Sequence, residues 1–362
     1  MKTVALIMAG GLGAQFWPRS SERHPKQFIH LLGEGTMIQN TVARLAPLFD
    51  YEDIYIVAPA SYSSMLRQQL PAIPVENLIK EPFGRNTAPC IALSAITLNQ
   101  HFSGDTIMTV LPSDHIVHNV REFHHNIEIS QQAAAELDGI VALGVKPSRP
   151  ETRFGYVQVS DNPEYVGELF TSGVRKAYSF AEKPDAATAH RFCDSGDFLW
   201  NTGIFSTTLD SFHSALQTYL PDHSVLFDFI RQNLLKDNYP QILQDMYRQM
   251  RSVSVDYGIM EKANNVYVVE GTFGWSDVGT WDELYRLSMK DAKNNVIEGD
   301  VIAINSTNCL VSSSEKFIGI IGVEDLIVID SEHAIVICKR GEAHNVKQLV
   351  DFMRRKQINR HL

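Results

Sequence analysis

The chain has 362 residues, 44% apolar and 20% charged, with 22 glycines and 15 prolines. That balance excludes collagen-like, low-complexity and wholly disordered chains, and the length is more than twice the ~150 residues of a typical domain, so two domains with a sizeable core are expected. Thirty-two Lys and Arg against 42 Asp and Glu give a formal net charge of −10, the wrong sign for coating a nucleic-acid backbone or an anionic membrane.

The opening MKTVALIMAGG sets Lys2 before an apolar stretch, as a signal peptide does. Residues 4–9 are shorter than the usual h-region of about 7 to 15 residues, however, so 3–9 reads as a buried first strand. Further strands are expected at 53–58, 78–80, 106–111 and 140–145. Helices fall between them at 37–45, with Ile38, Val42 and Leu45 on one face, and at 87–98, around Ile91, Leu93 and Ile96. This alternation is the pattern of βαβ units on a parallel sheet. From about 150 to 290 the texture is mixed: strands at 155–159, 174–180 and 203–206, then helices from 209 to 250 and at 281–289. This half is expected to extend the same sheet and to cover its carboxyl edge, where open α/β sheets bind ligands.

Beyond Asn294, β-type runs at 296–311, 317–322, 326–329 and 334–338 are separated by Asn, Ser, Gly and acidic turns, which predicts a small all-β domain. The last stretch, 345–358, carries Val346, Leu349, Val350 and Met353 on one helical face. Arg354, Arg355 and Lys356 follow in its last turns, where the helix dipole favours cations. Cys90, Cys193, Cys309 and Cys338 form no C-x-x-C pair, so reduced thiols in a cytoplasm fit better than zinc or a disulfide framework. His115, His118, His124 and His125 lack a ligand spacing and read as a solvated helix face.

The segment MAGGLGAQFWPRSSERHPKQF, residues 8–28, directly follows the first strand. Gly10, Gly11 and Gly13 let backbone N–H groups approach an anion at the place where doubly wound folds bind phosphate. The dinucleotide pattern fails because Phe16 stands where its last glycine belongs, and the chain has no GK of a P-loop. What remains is a glycine loop followed by Arg19, Arg23 and Lys26 against the single Glu22, a stretch able to neutralise a triphosphate. A merely solvated basic loop is the competing reading.

GGLGAQFWPRSSERHPKQF resembles the signature of the sugar-1-phosphate nucleotidylyltransferases, and its P-K-Q-F ending is similar to that of the mannose-1-phosphate guanylyltransferases. Seven further matches follow in order: EPFGRNTAPCIAL (81–93), LPSDHIV (111–117), RFGYVQ (153–158), FAEKPD (180–185), LWNTGIF (199–205), SVDYGIMEKA (254–263) and GWSDVGTWDELY (274–285). Eight ordered motifs cover nearly the whole chain, far more than any one glycine loop could specify.

The resemblance implies a Rossmann-like nucleotidyltransferase domain over 1–290, with a mixed, mostly parallel sheet. A small β domain with a C-terminal helix would follow over 291–362, similar to a turn of left-handed β-helix and a place for homodimer contacts. It implies transfer of GMP from GTP to mannose 1-phosphate, giving GDP-mannose and pyrophosphate in a cytoplasmic enzyme. Longer relatives carry an isomerase domain, so a single activity is expected of this chain.

The family's functional residues carry over one by one. Asp114 and Asp277 would hold Mg²⁺, a hard cation suited to carboxylate and phosphate oxygens; read without the family, Asp114 could equally cap a helix. Lys26 would reach the triphosphate and Lys183 the sugar phosphate. Gly155, Glu182 and Asn201 would contact the sugar, with Asp256 a further candidate there. Gly84 and Asn86 would lie beside the guanine, and Asn86 also suits the N-cap of the following helix. The family carries arginine where this sequence has Gln15; Arg19 is the expected replacement for part of that charge. Other sugars or bases, and a homologue that binds GDP-sugars without turning them over, remain open alternatives.

Overall fold

The computed structural model describes residues 1–362, the side chain of Asn359 excepted. The chain forms two compact units, one of residues 1–10 with 42–276, the other of residues 11–41 with 277–362. Between β1 (Thr3–Met8) and β10 (Val266–Gly271) run, in chain order, α1 (Met37–Leu45), β2 (Ile54–Pro59), α2 (Ser63–Gln69), β3 (Leu78–Glu81), α3 (Thr87–Leu98), β4 (Ile107–Pro112) and β5 (Ile116–Val117). There follow α4 (Val120–Leu137), β6 (Ile140–Val145), β7 (Gly155–Ser160), β8 (Val174–Glu182), α5 (Ala186–Ser195), β9 (Phe198–Thr208), α6 (Leu209–Tyr219), α7 (Pro221–Gln232) and α8 (Tyr239–Gln249).

The first unit is built on a nine-stranded sheet in the order β3-β2-β1-β4-β9-β6-β10-β8-β7. Pairing is parallel through β3, β2, β1 and β4 and again between β6 and β10. It is antiparallel where β9 meets β4 and β6 and where β8 meets β10 and β7. The mixed order is as expected, but the parallel share is smaller, because β9 inserts antiparallel between β4 and β6.

Val4, Leu6 and Ile7 are wholly buried, as in a central strand covered on both faces, whose sequence reads as one apolar run. Helix starts carry their own caps: Asn119 accepts from Glu122 N, Asp185 from Thr188 N and Thr208 from Ser211 N. A core of Val4, Leu6, Ile91, Leu93, Met108 and Phe205 packs α3 onto the sheet and continues through Phe212, Phe227 and Tyr247 of α6, α7 and α8. Asp114 caps no helix, since α4 starts from Asn119.

The two-strand ladder of β5 with β11 (Trp275–Ser276) completes the first unit. The second unit holds α9 (Trp281–Leu287), β12 (Val296–Glu298), β13 (Val301–Ile304), β14 (Leu310–Ser312), β15 (Ile318–Ile321), β16 (Leu326–Asp330), β17 (Ile335–Lys339) and α10 (Val346–Arg355). Strands β12, β14 and β16 stack in parallel, β13 and β15 do likewise, and β17 closes one edge antiparallel. Cys309, Val311, Ile320 and Val328 fill the inside of these parallel rungs. Residues 11–41 belong with this β part, whereas the reading from sequence put them with residues 1–290. Among the described residues no helix is long and apolar enough to cross a membrane.

Candidate functional site

In the first unit, the carboxyl end of β8 carries Glu182 and the turn that follows it carries Lys183. Gly155 and Glu182 are cross-strand partners of β7 and β8. A Cβ on Gly155 would lie 2.5 Å from Glu182 Oε2 and 3.4 Å from Asn201 Cβ, so glycine is required for the carboxylate to lie over the strand. Asn201, nearly buried in β9, donates through Nδ2 to Asp256 Oδ1 at 2.7 Å. Lys183 takes a left-handed backbone (φ 51°). Its amide donates to Phe154 O at 3.2 Å and its Nζ stands 3.1 Å from Glu182 Oε1. With the lysine side chain 65% exposed, that ion pair is worth little as stabilisation and leaves the ammonium close to solvent.

Three carboxyls crowd here. Glu261, which the motif reading did not single out, accepts from the Glu182 amide at 3.2 Å. Burial, and then repulsion from Glu182, pushes the Asp256 carboxyl up to about 6, against the opposing hydrogen bond from Asn201. Burial raises Glu261 as well. An open cleft of about 730 Å³ unites Glu182, Lys183 and Asp256 with Asn86, Arg251 and Tyr257. Asn86 takes a positive φ of 70° and caps α3 by accepting from Thr87 N, while the residue stays exposed on the cleft. The N-cap reading of Asn86 is thereby met. Thr87 Oγ1 accepts from Val255 N at 2.8 Å, which ties the 81–93 motif to the 254–263 motif.

Gly84 is exposed with open space around it, and Gly10 lies near Glu81, whose Oε2 would be 3.7 Å from a Gly10 Cβ. Glu81 is a second residue that motif reading passed over. It is buried, it accepts from the Tyr247 hydroxyl at 3.2 Å, and burial pushes its carboxyl up to about 7. Both glutamates stand inside the motifs at 81–93 and 254–263, but the burial of Glu81 and the contact of Glu261 with the Glu182 amide are visible only in the fold.

Asp114 follows β4 with only Ser113 between, at the carboxyl edge of the sheet, and is half-buried. Two residues on, Ile116 pairs with Ser276, the residue before Asp277. Trp275 donates through Nε1 to His115 Nδ1 at 3.1 Å and packs edge-on against Phe154, 5.0 Å between ring centres. His124 Nε2 lies 2.7 Å from Arg44 O. These histidines thus have separate structural uses.

In the second unit, Gly11 is exposed, and Gln15 lies in a single turn, Ala14–Phe16, entered through Gly13 with φ 66°. A Cβ on Gly13 would fall 2.2 Å from Lys26 Cβ, so conformation and close approach both require glycine. Lys26 is 3% exposed, donates through Nζ to Asp277 O at 2.7 Å and lies 5.4 Å from the Phe16 ring centre. The loop, the lysine and Asp277 are thereby brought together. Arg19 is not directed as expected. Its Nη1 lies 3.6 Å from Glu298 Oε2 and its Nη2 donates to Ser312 Oγ, so its charge is engaged by the β rungs instead of standing in for the arginine missing at position 15.

Set against known proteins, residues 4–294 match the nucleotidyl transferase family model, and residues 299–353 match the MannoseP isomerase/GMP-like beta-helix domain. The mannose-1-phosphate guanylyltransferase of Klebsiella pneumoniae is 36% identical over 360 residues, spanning 97% of this chain and 74% of that protein. Alginate biosynthesis protein AlgA of Pseudomonas aeruginosa is 33% identical over 354 residues, spanning 96% and 71%. A solved structure described as mannose-1-phosphate geranyltransferase, from Thermus thermophilus, superposes with a TM-score of 0.85 at 31% identity, over 98% of this chain and all of that one. A mixed sheet with the glycine loop after its first strand, parallel β rungs at the carboxyl end, and matches that run almost the full length converge on one conclusion: this chain belongs to the nucleotidyl transferase family.

Proposed function

We propose that this protein transfers GMP from GTP to mannose 1-phosphate, forming GDP-mannose and releasing pyrophosphate. The observation that carries the reading is the cleft in the first unit, where Asn86 of the nucleotide motif shares one space with Glu182, Lys183 and Asp256 of the sugar motifs. The names of the relatives in Klebsiella pneumoniae and Escherichia coli support the same substrates.

The step is an in-line displacement. A phosphate oxygen of mannose 1-phosphate bonds to the α-phosphorus of GTP as the bond from that phosphorus to the β-bridging oxygen breaks, and pyrophosphate carries away the electron pair. Such a transition state asks for positioning and positive charge more than for a covalent nucleophile. Lys183, near solvent on its tight turn, meets the sugar phosphate. Gly155 makes room for Glu182, which with Asn201 and Asp256 orients the sugar hydroxyls, since carboxylates accept and the amide can do both. Lys26 is pre-oriented by the Asp277 carbonyl and serves the leaving pyrophosphate. Gly11, Gly13 and the Gln15 amide attend the triphosphate.

Asp114 and Asp277 would hold Mg²⁺. Each offers carboxylate oxygens, the hard donors that this ion takes alongside phosphate oxygens and water. When bound, the ion supplies charge neutralisation at those oxygens. Ile302, Ile304, Ile321 and Phe317, each about half exposed or more on β13, β15 and the residue before β15, support a homodimer through the β domain, and the free thiols support a cytoplasmic setting.

The reading is tested by Asp114→Asn. The variant is expected to keep its melting temperature and to lose pyrophosphate release from GTP and mannose 1-phosphate at every Mg²⁺ concentration. Undiminished turnover would exclude Asp114 from the metal site.

A further inference from the structure

Within the unit of residues 11–41 and 277–362, the glycine loop is attached to the β domain at two places. Phe16 packs edge-on against Trp281 with 4.9 Å between ring centres. Trp281 Nε1 donates to Trp17 O at 3.2 Å, and Trp17 Nε1 donates to His361 O at 2.6 Å. The carboxylate of Asp282, next along α9, accepts from Gly341 N at 2.7 Å and Ala343 N at 3.1 Å. One end of the glycine loop is thus packed onto the carboxyl-terminal part of the chain.

Arg19 makes the second attachment. Glu298 ends β12 and Ser312 ends β14, and the two are partners in the parallel ladder. Ser312 Oγ donates to Glu298 Oε2 at 2.7 Å, the oxygen that also faces Arg19 Nη1, while Arg19 Nη2 donates to Ser312 Oγ. Two rungs of the β domain therefore present one carboxylate and one hydroxyl to a single planar guanidinium, a geometry a lysine would not reproduce. Ser312 is 1% exposed, the Arg19 side chain 21% and the Glu298 side chain 37%, so the hydroxyl end of the group is buried while the carboxylate still meets solvent, and the ion pair by itself is worth little.

We propose that Arg19 is a positioning residue for the nucleotide loop and that Glu298 and Ser312 are its anchor. The β domain then contributes to catalysis by holding the backbone of residues 11–16 in its anion-binding form. A glycine-rich loop is costly to order, and attachment of its distal end lowers what remains to be ordered when the triphosphate binds. The proposal rests on the guanylyltransferase reading for its kinetic test but not for its structural one.

The test compares Arg19→Leu, Glu298→Gln and the double variant in the full-length protein. Steady-state kinetics with GTP and mannose 1-phosphate are read together with amide hydrogen exchange of residues 11–16. Both single variants are expected to lose about tenfold in kcat/KM for GTP, within the range that loop misplacement produces. The KM for mannose 1-phosphate should be unchanged, exchange over 11–16 should be faster, and the double variant should be no worse than the weaker single one. If Arg19 instead touched phosphate, Glu298→Gln would leave GTP kinetics and loop exchange as in the parent chain, or improve GTP binding, while Arg19→Leu alone lost it; that outcome overturns the proposal. Should Arg19→Leu fail to fold, Ser312→Ala takes its place with the same two expected results. A parent chain that turns over no GTP contradicts the guanylyltransferase reading, and loop exchange in the variants still decides the anchor.

Discussion

Gly155 and Glu182 are cross-strand partners placed so that a single methyl group on the glycine would stand 2.5 Å from the glutamate Oε2. The carboxylate occupies the space a side chain would fill. Gly155→Ala must therefore shift the Glu182 carboxylate from the position it holds. It is expected to raise the KM for mannose 1-phosphate by about tenfold or more, as loss of a charged hydrogen bond to substrate does, with little change in the KM for GTP. Titration of each substrate separately checks this.

Asp256 supplies a pH signature. Its carboxyl is raised to about 6, first by burial and then by Glu182, so it takes up a proton as pH falls through 6. If the ionised form accepts from a sugar hydroxyl, the KM for mannose 1-phosphate rises below pH 6 and is flat above about 7. Asp256→Asn should show the higher KM at all pH values and lose the inflection.

Glu81 should be visible in stability. Its carboxyl is raised to about 7 in the folded chain from an ordinary 4.5, by burial against the lowering effect of Tyr247. The folded state then binds more protons than the unfolded one between those values, so the stability contribution is present at low pH and is lost as pH rises from about 4.5 to 7. The shift corresponds to roughly 3 kcal/mol. Urea melts of Glu81→Gln across pH 4 to 8 should lack this slope relative to the parent chain; equal slopes would contradict the account.

Gly13→Ala tests the approach of the loop to Lys26. A Cβ 2.2 Å from Lys26 Cβ at a positive φ meets both steric limits at once, so a loss of about 1–3 kcal/mol in stability and at least a tenfold fall in kcat/KM for GTP are expected. Gly11→Ala, where a Cβ meets nothing within 4 Å, should cost far less stability. Thermal melts of the two variants make the comparison.

Much of the first unit could be read from the chain because its elements carry local signals. Helix Thr87–Leu98 and strand Ile140–Val145 lie where the apolar spacing puts them, and so does helix Met37–Leu45, whose first five residues belong to the second unit. Strand Val266–Gly271 was not legible, since VYVVEG follows a polar stretch and is a central strand only through its pairing with Ile140–Val145 and Val174–Glu182. Of helix Val120–Leu137 the sequence marks only the solvated face around His124 and His125; beyond Phe123 and Ile127 its buried face is made of polar and small residues, Asn126, Ser130, Ala133 and Ala134, and His115 and His118 lie before its start. The motifs located Glu182, Asn201 and Asp256, but their crowding, and with it the raised Asp256, needs three strands and a turn in place. Arg19 was misdirected for a plain reason: its partners lie 279 and 293 positions further on, as 298 − 19 and 312 − 19 show, in strands that sequence reading had put in another domain.

The central claim is most directly tested by pyrophosphate release from the purified chain with Mg²⁺, each of the four common nucleoside triphosphates, and mannose 1-phosphate. The account predicts release with GTP well above the other three, matched mole for mole by GDP-mannose and dependent on the sugar phosphate. No release with any triphosphate, while GDP-mannose still binds, would contradict it.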